Sequence, residues 1–380
     1  MKISKSSSKT LVKWFVLLAT LIQPGCQESQ TAQIQEDNSS LFIVDAEPTT
    51  TLHVEPTNTP ELTLTEELTL DSAFFLDIPP PRSGHAMVYD PQRQRIVLLG
   101  GRQTVSQEDR LFNHLTDTWE YDGIAWTQIE TNHSPESRSI FAMTYNAAEE
   151  KVIAFGSEND FPNPWQFDGQ DWQQINAEVP LMPESAVYYP KTGHVITPYQ
   201  CWRKCDTSFY MTWHFDGKTW FEGDEIFPYG EAGQDPFFVP QIVYDSHREV
   251  VVFQIQWPWT FEFDGQTWTL VYGKDDVEGN LPPLAGAFNM VYDSHRQVVV
   301  LYGLARGDSV CRTWEYDGKR WEEIELEMNP PPRAWSAMAF DEARGVTVLF
   351  GGEWDGQDLN DLWEYDGQEW VRRDFSLRSD

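Results

Sequence analysis

The sequence predicts an all-β fold, a six-bladed β-propeller of four-stranded antiparallel blades. Three observations predict it. One eight-residue phrase recurs six times, as WEYDGIAW, WQFDGQDW, WHFDGKTW, FEFDGQTW, WEYDGKRW and WEYDGQEW. Its aspartates (Asp122, Asp168, Asp216, Asp264, Asp317 and Asp366) are 46 to 53 residues apart, the mark of one supersecondary unit copied along a chain. Each copy holds four short strand-like runs separated by turn residues, with no helical period.

The first copy shows how each run earns its assignment. PPPR opens it, HAMVY forms a first strand, and DPQRQ turns into IVLLGG. IVLL lacks polar alternation, so it should be buried on both faces. After a long polar loop, TWEY places Trp119 and Tyr121 on one face and Glu120 on the other. Asp-Gly then turns the chain, since glycine accepts the positive φ of a tight hairpin, and WTQI is the fourth strand. In the other copies, first strands end in Tyr145, Tyr189, Tyr244, Tyr292 and Phe340. Second strands read VIAF, EVVVF, QVVVL and VTVLF; HVITPY is weakest, because Pro198 cannot donate to a ladder.

The whole pattern, PPPRSGHAMVYD…IVLLGG…DTWEYDGxxW, resembles the kelch repeat in the version found in bacterial exported proteins. The resemblance implies six blades at approximately 79–130, 134–178, 180–226, 228–275, 282–327 and 330–376. It departs from the pattern where the second strand ends: a double glycine survives only as Gly100-Gly101 and Gly351-Gly352. The middle blades should differ there.

Residues 1–26 read as an export signal: Lys2, Lys5, Lys9 and Lys13 precede WFVLLATLI, which is too short to span a bilayer. Gly25-Cys26 resembles a bacterial lipoprotein signal, which implies lipidation at Cys26, although Gln23 stands where that signal has Leu. Residues 27–72 are polar and rich in Thr, Pro and Glu, the composition of a disordered tether. Residues 73–380 form the propeller, with AFFLDI (Ala73 to Ile78) docking on it. The chain is thus expected in the bacterial cell envelope, lipid-anchored or secreted, as a monomer that meets the membrane only through its N-terminal anchor.

A net charge of −33 argues against nucleic-acid binding, because the chain repels phosphate backbones. Cys201 and Cys205, in CWRKC, should form a disulfide in an oxidising compartment; a zinc site is the rival, but no His pair lies nearby. Cys311 is then a buried free thiol.

Loops after strands two and four vary and share one face, so function should sit there and at the channel mouth. Arg82, Arg138 and Arg333 hold matching positions before the innermost strands of neighbouring blades 1, 2 and 6; Met182, Phe237 and Ala285 stand there in the others. They could form a basic crescent for carboxylates, or pair with loop acids such as Glu108, Asp109, Asp358 or Asp361. Eleven of the 17 Trp belong to the repeated phrase and need no functional reading. Outside it, Trp202, Trp257, Trp259, Trp335 and Trp354 are on or near the variable face, as anchors for a ligand or as packing between blades. Packing is favoured for Trp335, Trp257 and Trp259.

Catalysis has little support. Galactose oxidase is a kelch-like enzyme, but its copper site needs clustered Tyr, Cys and His, and the eight His here are scattered. DGxxW resembles the sialidase Asp-box, but that motif has one residue between its Asp and Gly, whereas here they are adjacent, so no sialidase chemistry is carried over. No metal or cofactor is expected. The leading expectation is a non-catalytic scaffold for a protein or peptide partner. The alternative is a carbohydrate-binding propeller taking acidic sugars through the Arg crescent and exposed Trp. An extracellular sugar-modifying enzyme comes third.

Overall fold

The computed structural model describes residues 78–375 apart from loop stretches, the longest being 229–239 and 273–281. These residues belong to the unit Leu70–Asp380. Six four-stranded antiparallel sheets form the six blades of a propeller, and each sheet takes its four strands from one uninterrupted stretch of chain. In blade 1 the strands are Ala86–Asp90, Arg95–Ser106, Leu111–Tyr121 and Trp126–Ile129, running from the channel outward. Ile96, Val97, Leu98 and Leu99 are fully buried, as a strand packed between two blades must be. Pro198 does lie in a strand, His194–Cys201. The neighbouring inner strand stops pairing at Ile196, so no ladder bond from Pro198 is required on that side.

The repeated residues hold the blades together. The aspartate of each Asp-Gly step accepts the amides two and three residues on; in blade 1, Asp122 Oδ1 takes Ile124 N and Ala125 N at 2.8 Å. At three seams the last tryptophan of the phrase donates to the third-strand threonine that stands one residue before the phrase of the preceding blade: Trp172 to Thr118, Trp321 to Thr260 and Trp370 to Thr313, at 2.8–2.9 Å. A second device is an arginine in the first turn. Arg248 binds Asp245 and Glu262 of its own blade and lies 5.4 Å from the Tyr316 ring of the next. Arg93, Arg296 and Arg344 repeat this arrangement against Phe167, Tyr365 and Tyr121. The phrase glycine is where that arginine crosses: a Cβ on Gly367 would come 2.6 Å from the Arg296 guanidinium. Blades 2 and 3 carry Glu149 and Gly193 at this position, so the seams 2–3 and 3–4 lack the device.

The ring closes without a shared strand. One core cluster joins Met87, Leu98, Trp119 and Trp126 of blade 1 to Ala339, Phe350 and Leu362 of blade 6. Blade 6 has Leu362 where blades 1, 4 and 5 have the accepting threonine, and Trp126 Nε1 finds no acceptor among the described residues. Backbone bonds compensate: Arg82 N to Leu359 O at 3.0 Å, Gly352 N to Arg82 O at 2.9 Å, and Gly84 N to Trp335 O at 2.8 Å. Tyr121 Oη also donates to Glu364 at 3.0 Å. Ile78 and Phe375, near the two ends of the described chain, pack against this same cluster.

Candidate functional site

Innermost strands begin on the face where second strands turn into third strands. Six of them line a cavity of about 170 Å³ at the channel mouth. Its wall alternates small and apolar residues (Ala86, Ala142, Met143, Met290) with polar ones (Gln241, Asn289, Ser336). Asn289 Nδ2 donates to Ser336 Oγ at 2.9 Å.

Trp335 stands at this mouth. It is 39% exposed and left-handed, with φ of 53°. Blade 1 has Gly84 at the matching position, with φ of 64°. For a bulky L-residue this conformation costs roughly 1–2 kcal/mol, which glycine avoids. The indole is held by Arg102, whose guanidinium lies 4.7 Å from its ring centre and 4.1 Å from that of Phe112. Cation–π contacts of this kind contribute about 0.5–2 kcal/mol. Arg102 follows the double glycine of blade 1 and Glu353 that of blade 6. Burial raises the Glu353 pKa while the charge of Arg102 opposes that shift.

The second-to-third-strand hairpins of blades 1 and 6 flank the mouth. In blade 1 they are 12 and 11 residues long, against 5 and 3 in blade 2. The blade 6 hairpin pairs Val346–Trp354 with Gln357–Tyr365 and turns at Asp355-Gly356, both with positive φ, as a two-residue hairpin requires. The hairpins touch where Thr104 N donates to Asp358 and Gln107 Nε2 to Glu353 at 3.4 Å.

The two described members of the arginine crescent, Arg82 and Arg333, are not open to a ligand. Arg82 has no exposed side-chain surface and makes a bidentate pair with Asp117 at 2.8 and 2.7 Å, plus a bond to Gly100 O at 2.9 Å. Arg333 does the same with Asp361 and Gly351 O. Each carboxylate also accepts from the tryptophan two residues on, Trp119 or Trp363, at 2.7 Å. Burial alone would raise the pKa of both acids; the arginine bonds and charges outweigh it and hold them below the ordinary range. These guanidiniums build their own blades. His85, beside Arg82, is buried and neutral: burial, then the arginine charge, lower its pKa to about 3.

Trp259 is 7% exposed and belongs to the core between blades 3 and 4 rather than to a loop. Trp354 is 38% exposed at the tip of the blade 6 hairpin. Trp335, for which the sequence favours packing, is exposed. Arg138, Trp202, Trp257, Cys26, Cys205 and the side chain of Cys201 lie outside the described residues. Cys311 is a buried free thiol. Arg102, Phe112 and Glu353 are not singled out by the sequence pattern; the residue after each double glycine, Arg in one blade and Glu in its ring neighbour, is the available signal.

No family model matches this chain, and no curated protein matches it. Solved structures share the fold. The SapL1 lectin in complex with α-methyl fucoside is 13% identical with a TM-score of 0.50, over 78% of this chain and 96% of that one. AofleA from Arthrobotrys oligospora is 12% identical at 0.51, over 78% and 86%. The GH93 α-L-arabinofuranosidase of Fusarium graminearum, solved with arabinobiose, is 11% identical at 0.51, over 78% and 96%. The lectin and the arabinofuranosidase carry sugars, not proteins, as their named ligands. That finding overturns the expectation of a protein- or peptide-binding scaffold.

Proposed function

We propose that this propeller binds carbohydrate at its channel mouth, with Trp335 as the platform. One observation carries the reading: a tryptophan holds a strained left-handed position that its blade 1 counterpart fills with glycine, and it does so half-exposed. Strain of this kind persists where the surroundings over-determine it, and it clusters at ligand clamps. An indole offers a sugar ring a flat apolar face, while Gln241 and Asn289 at the same mouth supply donors and acceptors for hydroxyls. With Arg82 and Arg333 buried and paired, and Arg102 packed on Trp335 and Phe112 with its charge acting on Glu353, the ligand we assign is an uncharged sugar rather than an acidic one.

The test is a thermal-shift and calorimetric screen of the full chain against neutral and acidic glycans. A neutral glycan should raise the melting temperature, and Trp335→Ala should weaken its binding at least tenfold. Unchanged affinity in that variant rejects the platform.

Two further readings belong to the proposal. The repeat is of kelch type, supported by the PPPR, GG and DTWEYDGxxW phrases. The propeller works outside the cytoplasm on a lipid anchor at Cys26, supported by the basic leader and apolar run before that cysteine. Metabolic labelling with a palmitate analogue, lost in Cys26→Ser, checks the anchor.

A further inference from the structure

Beside the channel mouth lies a second concavity, an open groove of about 530 Å³ between the hairpins of blades 1 and 6. Pro81, Val105 and Gly356 form part of its wall, and its polar lining is Gln103, Thr104, Asn113, Gln357 and Asp358. Three of these five are primary amides, which donate and accept at once, as sugar hydroxyls do. None is cationic. Asp358 Oδ2 is held by the Thr104 amide, while Asp358 Oδ1 and Thr104 Oγ1 are shielded from solvent without a partner among the described residues. Asn113 and Gln103 meet only at 3.5 Å, a contact weak enough to be exchanged for a ligand.

The groove begins where the Trp335 platform ends. Arg102, whose guanidinium packs on Trp335, immediately precedes Gln103 and Thr104 on the same strand. Two strand positions cover roughly 7 Å. On the other wall, Ala334 beside Trp335 bridges to Glu353, and Glu353 pairs with Asp358. The platform and the groove are thus consecutive along two strands.

We infer that the groove is a second subsite, reading further residues of an uncharged oligosaccharide whose first ring rests on Trp335. This inference rests on the carbohydrate reading and adds a minimum ligand length and a charge preference. Asp358, on a chain of net charge −33, disfavours a uronate or phosphate there.

Calorimetry on the full chain tests it, with arabino-, xylo-, cello- and manno-oligosaccharides of one to four units and oligogalacturonates of the same lengths. In at least one neutral series the tetramer should bind ten times tighter than the monomer or better. Asn113→Ala with Gln357→Ala, both at surface positions, should bring the tetramer to within about twofold of the monomer and leave the monomer unchanged. Oligogalacturonates should bind more weakly than neutral chains. Length-independent binding that Trp335→Ala abolishes overturns the groove and leaves the platform standing. A length preference untouched by the double variant, or oligogalacturonates binding as well as neutral chains, also overturns it. No binding in any series overturns both.

Discussion

Comparing alanine and glycine at position 335 isolates the backbone strain from the loss of the indole. Both substitutions remove the same ring. The residue is 39% exposed, so about three-fifths of a side chain that buries ~200 Å² when fully packed is lost to either variant, roughly 3 kcal/mol at 25 cal/mol per Å². The two variants differ in backbone cost. Alanine keeps the left-handed penalty of roughly 1–2 kcal/mol, whereas glycine escapes it but loses about 0.5–1 kcal/mol through the freedom of its unfolded chain. Trp335→Gly should therefore be more stable than Trp335→Ala by about 1 kcal/mol, reversing the usual order of the two residues. Urea unfolding at 25 °C, read from midpoints at equal slope, measures the difference. Both variants should lose sugar binding equally. An alanine variant more stable than the glycine variant by the full ~0.5–1 kcal/mol of glycine's usual disadvantage would mean that the conformation carries no strain, and the inference from strain to a ligand clamp would fall with it.

Other consequences are open to measurement. His85 has a folded pKa near 3 against an ordinary 6.5, so its contribution is whole above pH 6.5 and lost as pH falls toward 3. That loss is about 2 kcal/mol at pH 5. His85→Phe, the residue blade 5 uses at this register as Phe288, should flatten stability between pH 6.5 and 4 in a pH series of urea midpoints; an unchanged slope refutes the assignment. Asp117 and Asp361 are held low, so their share is present above the ordinary carboxylate pKa and is lost only as pH falls below it, from the acid end of the His85 window downward. Asp117→Asn strands a fully buried guanidinium and should cost about 3–5 kcal/mol without altering the preference for neutral over acidic sugars. A loss of sugar selectivity in a still-folded Asp117→Asn protein would restore the crescent. Thr313→Val removes the acceptor of Trp370 Nε1 and should cost about 1–2 kcal/mol in the same urea assay.

Blade number and strand order were legible because they depend on period and alternation, which survive in six imperfect copies. Pro198 made HVITPY the weakest of the second strands because proline is penalised by the ladder it interrupts, and the shortness of the neighbouring strand, which lets the strand form, cannot be seen locally. The arginines were ambiguous for a different reason. A guanidinium that builds a blade and one that greets a ligand leave the same letter at the same place, and only the 0% exposure of Arg82 separates them. Asp361 stands out as a loop acid able to pair with an arginine; Asp117, its equivalent in blade 1, does not. The Trp335 platform hid behind its residue type, because nothing in a tryptophan announces a positive φ. The glycine in the parallel copy was the one trace.

Each blade's four strands come from a single stretch of chain, and Ile78 and Phe375 pack on one cluster at the seam. In genetic terms the blade is then a cassette. A duplication or deletion of one repeat leaves no orphan strand behind, and the reading frame can be cut at any blade boundary and rejoined through a short linker at the old ends. Propellers that close by splitting a blade between their termini lack this freedom. A ring of this kind can change its blade number by one recombination.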